Sequence, residues 1–194
     1  MKKSALILST ALLASTANAD VLGVTAEAGS YLINDGDDFN SYFGIALEHP
    51  IPLIPNLRIQ HQSLESKDSN NSYDLPFNDY TLYYELLDGL TLVHLDVGAT
   101  FRKIDHDNSD IGGTYPLLYA SAFLDIPGTV LSVGAEVKTG GNSDADITDT
   151  TFKVKFQPLV FAGLELGYRT IKEDFKSNGK VEPKGLFIGA FVDF

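Results

Sequence analysis

The side chains best placed for chemistry lie near residue 60. His61 and Ser63 stand two apart, so an extended strand presents both on one face, with Glu65 next along it. A His that takes the Ser proton, oriented in turn by a carboxylate, is the arrangement of nucleophilic hydrolysis. With all three groups on a single strand, the carboxylate is poorly placed for that task. A second set is acidic: Asp35, Asp37 and Asp38, then Asp105, Asp107 and Asp110, then Asp144, Asp146 and Asp149. Spaced carboxylates suit Ca²⁺, but no segment matches the full EF-hand pattern, and Asp-rich polar turns are ordinarily solvated. His49, His94 and His106 are scattered and make no ligand pair, and the chain has no Cys, hence no thiolate nucleophile and no disulfide. Gly112-Gly113 and Gly140-Gly141 read as turn formers, since no helix follows to make a phosphate cradle. The expectation is no metal and no cofactor.

The elements that carry these residues are strands. From Leu22 onward the chain alternates with period two, with no helix-period stretch of any length. Ten runs stand out, at about 22–32, 40–49, 57–66, 77–87, 90–102, 115–125, 129–139, 149–157, 161–172 and 184–194. One parity is apolar throughout, for example Phe43, Ile45 and Leu47, then Val93, Leu95, Val97, Ala99 and Phe101. The other parity holds the charge. Its expected network is Glu27, Arg58, Asp79, Glu85, Asp96, Arg102, Glu136, Lys138, Lys153, Lys155, Glu165 and Arg169, with Glu48, Asp125 and Asp193 on the same face. His94 shares that face and is expected to hydrogen-bond within it.

Period alone does not say which face points inward. Two features decide for apolar outside. The connections alternate between short (50–56, 88–89, 126–128, 158–160) and longer polar ones (34–39, 67–76, 103–114, 140–148, 173–183), as in outer-membrane barrels. The apolar side chains are also too many to fit within so narrow a barrel, yet they clothe its outside well. The predicted fold class is all-β: a closed, antiparallel, up-and-down transmembrane β-barrel of ten strands, eight being the alternative count. Closure pairs every backbone polar group, which an open sheet in lipid would not do. Phe43, Tyr80, Tyr84, Phe101, Phe152, Phe156, Tyr168 and Phe194 are the candidate interface aromatics, as there is no Trp. Within the lumen, the arginines are the preferred hubs, because a guanidinium can bridge two carboxylates. The expected lumen is a packed, salt-bridged polar core, with a narrow cation-preferring path as the alternative.

The start of the chain reads as an address. Lys2 and Lys3 precede a short apolar run, Ala5–Ala14, and Ala17-Asn18-Ala19 supplies the small residues a signal peptidase requires. The expected division is a cleaved signal peptide over 1–19 and the barrel over 20–194. The run is too short to span a membrane, and no stretch of 18 apolar residues occurs elsewhere. With 26 acidic against 14 basic residues, the net charge is −12, which argues against nucleic acid as a partner.

The last strand, Gly185-Leu186-Phe187-Ile188-Gly189-Ala190-Phe191-Val192-Asp193-Phe194, is similar to the C-terminal signal of outer-membrane barrels. Gly189, Val192 and Phe194 carry that resemblance, which implies recognition by the barrel-assembly machinery. More widely, the chain resembles a family of small, largely uncharacterised outer-membrane β-barrel proteins of Gram-negative bacteria. The stretches that carry it are Pro52–Arg58, Asp79–Asp88, Leu95–Gly98, Pro116–Tyr119, Gly167–Arg169 and the closing strand. That resemblance implies fold and location, and no activity or catalytic residue. The expected partners follow: outer-membrane lipid, and lipopolysaccharide phosphates met by Lys103, Lys172, Lys176 and Lys184, with the protein a monomer. His61-x-Ser63 on a barrel strand also resembles the site of outer-membrane lipid A deacylases, which keeps a lipid A-modifying hydrolase as a further alternative to a non-enzymatic envelope protein.

Overall fold

The computed structural model describes residues 22–33, 38–51, 53–66, 72–87, 92–108 and 110–194. The proposed signal peptide, the acids Asp35 and Asp37 and the turn at Asp88-Gly89 lie outside them. Among the described residues thirteen strands follow one another: β1 Gly23–Ile33, β2 Asp38–Glu48, β3 Asn56–Gln62, β4 Glu65–Ser66, β5 Tyr73–Asp74, β6 Phe77–Leu87, β7 Val93–Ile104, β8 Gly113–Asp125, β9 Leu131–Gly141, β10 Ala145–Leu159, β11 Ala162–Phe175, β12 Gly179–Val181 and β13 Lys184–Asp193. No helix occurs among the described residues.

Ten of the strands form one closed antiparallel barrel. Each long strand pairs with its sequence neighbour, and β13 completes the circuit by pairing with both β11 and β1. At the seam, Gly29 faces Gly189 and Leu32 faces Leu186. Reciprocal bonds between the Val24 and Phe194 backbones, 2.9 and 3.0 Å, extend the pairing by one residue. The short strands lie apart from this circuit. β4 and β5 make a two-stranded ribbon, and β12 folds back onto β11.

The parities sort as their chemistry requires. Outward positions of β11 and β13 carry Leu164, Leu166, Leu186 and Ile188, each more than half exposed, while Leu118 on β8 is 71% exposed. Along β7 this apolar face runs from Val93 to Phe101, about 27 Å at roughly 3.4 Å per residue, or about 20 Å tall for a tilt near 40°. Beyond it the outward residues turn polar: Ser41, Asn78, Lys103, Thr148 and Lys172.

The end opposite the short turns differs from the long polar loops expected of it. Strands β9, β10 and β11 run on past the apolar band, so 140–148 and 173–175 are mostly sheet. The β9–β10 hairpin closes with Asn142 N–H donating to Ala145 O at 3.0 Å. It needs Gly141, whose φ of 143° disfavours side chains and whose Cβ would strike the Ala145 carbonyl. Strand β3 stops at Gln62 instead of reaching 66. There Leu64 turns inward and is fully buried, and the Asn40 side chain clamps the Glu65 backbone, donating to its C=O at 3.1 Å and accepting its N–H at 2.6 Å. The physical reason for both departures is one apolar cluster. Tyr31, Ile33, Leu64, Leu75, Phe77, Ile104, Tyr115, Leu117, Ala145, Ile147, Ile171, Phe175 and Phe187 pack together inside this end, and burying them repays the ordering of the chain around them.

Candidate functional site

The lumen is stacked in three tiers along the barrel axis. The apolar cluster fills the far end. The tier below it is ionic, and inward parity on seven strands brings its members together.

Arg102 on β7 is its hub and is wholly buried. Its guanidinium binds Asp79 on β6 in a two-pronged pair, Nε to Oδ1 at 2.8 Å and Nη2 to Oδ2 at 2.9 Å. It also donates to Asp149 at 2.5 Å and to Glu173 at 3.3 Å, while its flat face lies 3.7 Å from the centre of the Phe77 ring. Arg169 makes a second two-pronged pair with Asp149, at 2.9 and 2.6 Å, and Lys138 reaches Asp79 at 2.6 Å. Three cations therefore meet three carboxylates, a balance that buried charge requires. Gln62 and Gln60 accept the spare donors of Arg169 and Lys138, both at 2.7 Å.

A second group lies one layer nearer the short turns. Arg58 on β3 bridges Glu27 at 2.7 Å and Glu136 at 2.9 Å. Lys153 sits among Glu165, Glu27 and Glu136 at 2.9, 3.3 and 3.4 Å, and the Tyr42 hydroxyl donates to Glu165 at 2.5 Å. A cavity of about 40 Å³ remains between the two groups, lined by Glu27, Lys138, Asp149, Lys153 and Arg169. That is space for water, well short of a hydrated ion.

The third tier is a vestibule of about 300 Å³ at the short-turn end. Glu85, Asp96 and Lys155, expected in the charge network, line this space together with Glu27 and Glu136. Glu85 accepts from Asn56 at 3.1 Å and Asp96 from Ser121 at 2.6 Å. His94 hydrogen-bonds Asp125 at 2.8 Å, as its face implied.

Of the remaining sequence candidates, His61 and Ser63 and the rim lysines fall outside the lumen. His61 faces outward against Phe43, ring centres 5.2 Å apart, and its Nδ1 bonds Asn78 at 2.9 Å. Ser63 Oγ donates to Ser41 O at 3.1 Å, so these two residues are engaged separately and not with each other. Asp149, expected in an acidic loop, is instead a buried lumen carboxylate. Among the described residues no group of three metal-ligating side chains converges. At the rim, Lys103 pairs with Asp105 at 3.0 Å, Lys172 with Glu182 at 3.1 Å and Lys180 with Asp174 at 2.9 Å. The adjoining carboxylates raise the ammonium pKa of Lys103 and of Lys180. Near the short turns, Phe194 stacks on Phe161, centres 5.9 Å apart, and the Tyr84 hydroxyl donates to Leu53 O at 3.0 Å. Gly189 sits beneath the Tyr42 ring, and Val192 points outward between Ala26 and Ala162.

Asp149, Glu173, Gln60, Gln62 and Tyr42 were missed by the sequence reading. For Asp149 and Glu173 the signal existed: each continues the inward parity of its strand, 155-153-151-149 and 165-167-169-171-173. Glu173 lay one residue past the run 161–172, and Asp149, although it opens the run 149–157, was grouped with the neighbouring loop acids Asp144 and Asp146.

No family model matches the chain, and no curated protein matches it. Among solved structures, that of Neisserial surface protein A is similar, at 15% identity over 89% of this chain and 97% of that one, with a TM-score of 0.38. An overlap this loose carries no weight for function, and the barrel stands on its own strand pairing.

Proposed function

We propose that this chain is an outer-membrane barrel that serves the Gram-negative envelope as a structural or surface protein, with a sealed lumen and no catalytic centre. The observation that carries the membrane assignment is the exterior. A continuous apolar band about 20 Å tall girdles the barrel, and the outward positions within it carry no charge, a pattern hydrocarbon enforces and water would penalise. Tyr80, Phe101, Phe152 and Tyr168 lie toward one edge of the band, where aromatic rings favour the headgroups. Export through the leader at 1–19 is part of this reading.

The sealed lumen is supported by the order of the tiers. An ion entering from the far end would shed its water against Ile33, Phe77, Ile104 and Ile147, and then meet charges that are already paired. This favours a plug over a cation-preferring pore. A lipid A hydrolase is disfavoured by the separate engagements of His61 and Ser63. Lipid is the partner along the band. Lipopolysaccharide phosphates are the partner at the rim, where they would compete with Asp105 and Glu182 for Lys103 and Lys172. Gly189, Val192 and Phe194 are offered to the barrel-assembly machinery, and the protein acts as a monomer.

Planar-bilayer recording of the purified protein tests the central point. The expected trace has no discrete steps; reproducible cation-selective steps would overturn the sealed lumen. Recovery of the protein as a soluble, detergent-free species would overturn the membrane assignment itself.

A further inference from the structure

The lower edge of the apolar band does not stop at the strand ends. On β7 the band takes nine residues, Val93–Phe101, and strands that share one tilt need the same count for the same height. Nine residues from Phe43 on β2 end at Ile51, and nine from Phe152 on β10, or from Tyr168 on β11, end at Val160. Both end points lie in short turns. The tips there are apolar and stand clear of the barrel: Leu53 is 90% and Val160 94% exposed, while Ile51, Ile54, Leu159 and Phe161 are about half exposed. Exposed Leu22 and Phe194 lie between the two turns, where β2, β1, β13 and β11 adjoin, so the apolar edge is continuous across the seam. Neither 50–56 nor 157–163 contains an ionisable residue.

The backbone of these turns gives an independent indication of what surrounds them. The Ile51 N–H donates to His49 Nδ1 at 3.2 Å, and Ile51 O accepts the Ile54 N–H at 3.4 Å. Leu53 O accepts the Tyr84 hydroxyl at 3.0 Å, Val160 O the Gln157 side-chain amide at 3.1 Å and Phe161 O the Asp193 N–H at 2.9 Å. A turn in water needs no such partners from the chain, whereas beside hydrocarbon each unmet backbone group is costly. Leu53 adds strain. Its φ of 74° is left-handed, a region that a leucine occupies at a cost, and the Tyr84 bond holds it there. A strained, fully presented leucine is a loss in water and a gain in lipid. We propose that the turns at 51–54 and 159–161 are seated in the bilayer leaflet nearer the short turns, at the boundary of headgroups and acyl chains. This arc of the barrel then has no aqueous collar, and lipid covers it down to the turn tips. The inference rests on the membrane reading above and extends it from the strands to their connections.

The chain has no Cys, so single labels report single positions. Leu53→Cys and Val160→Cys, each carrying bimane, are to be compared in dioleoylphosphatidylcholine nanodiscs, whose two faces are both open to solvent. Leu166→Cys in mid-band and Lys176→Cys at the far end are the references. The tip labels are expected to be quenched by phosphatidylcholine brominated high on the acyl chain, and several-fold less by aqueous iodide than the Lys176 label. Iodide quenching at the tips equal to that at Lys176 would overturn the proposal, whether the tips then prove free, paired with a second copy or open to a periplasmic protein. The Leu166 label separates the two readings. If it too is open to iodide, the membrane assignment fails; if it is shielded while the tips are not, only the seating of the turns fails. Should a cysteine variant misfold, the methyl resonances of Leu53 and Val160 in the unaltered protein decide the same point. A spin-labelled lipid should broaden them and a water-soluble gadolinium chelate should not; the reverse would overturn the proposal.

Discussion

Arg102 holds the ionic tier together because a guanidinium can serve several carboxylates at once in fixed geometry, which an ammonium does not. Asp79, Asp149 and Glu173 all depend on it. Removing it by Arg102→Met should destabilise the barrel by about 3–5 kcal/mol, since the cost is that of stranding buried charge and not of one lost bond. Thermal unfolding of protein refolded in lipid reads this, and a loss under about 1 kcal/mol would contradict the hub assignment. Adding Asp79→Asn to that variant should recover part of the loss. At this scale the sequence was informative about type and face but not about partners. Arg58, Arg102 and Arg169 were legible as hubs by parity. That Arg102 serves Glu173 and Asp149 depends on which strands end up opposite one another across the lumen.

Strand length is the feature of the elements that pattern alone misjudged. Alternation is plain wherever one face is lipid-like and the other charged. It fades above the band, where both faces become mixed and the inward residues turn apolar, as at Ile147, Ile171 and Phe175. There the polar outward residues Asp146 and Thr148 read as loop, although they continue the sheet. The closing strand makes a second point. Gly189 fits the assembly signal, and it is also the space in which the Tyr42 ring lies: a Cβ there would collide with the Tyr42 hydroxyl and press on the Ala28 carbonyl. Gly189→Ala should therefore displace Tyr42 from Glu165 and cost about 1–3 kcal/mol of overpacking. That loss should appear in protein refolded from urea with no assembly machinery present. A variant of wild-type stability would leave recognition as the sole role of this glycine.

The whole molecule divides its chemistry by depth. Apolar packing closes the far end, paired charge fills the middle, and an acidic, aromatic-walled space opens among the short turns. The outside is uniform across the band, so charge introduced there should be felt according to depth. Leu166→Arg, near mid-band on β11, should cost about 2–4 kcal/mol when the protein is folded in lipid vesicles. The same change at Thr170, beyond the band, should cost about 1 kcal/mol or less. Urea titrations of the two variants in vesicles check the contrast, and equal costs would argue against a bilayer around this surface.

By itself the sequence determined the strands and the confinement of charge to one of their faces, because a period of two and a one-sided distribution of charge are local properties, readable strand by strand. Which face points inward took the bulk of the apolar side chains and the lengths of the connections. Only the tertiary structure decided which charges pair, that the far end is sealed by an apolar core, and that a vestibule is left where Phe123, Phe191 and Lys155 meet. Those depend on the register and stagger of closure, which bring residues from β3, β7, β10 and β11 to one level, and alternation along a single strand carries no record of that level.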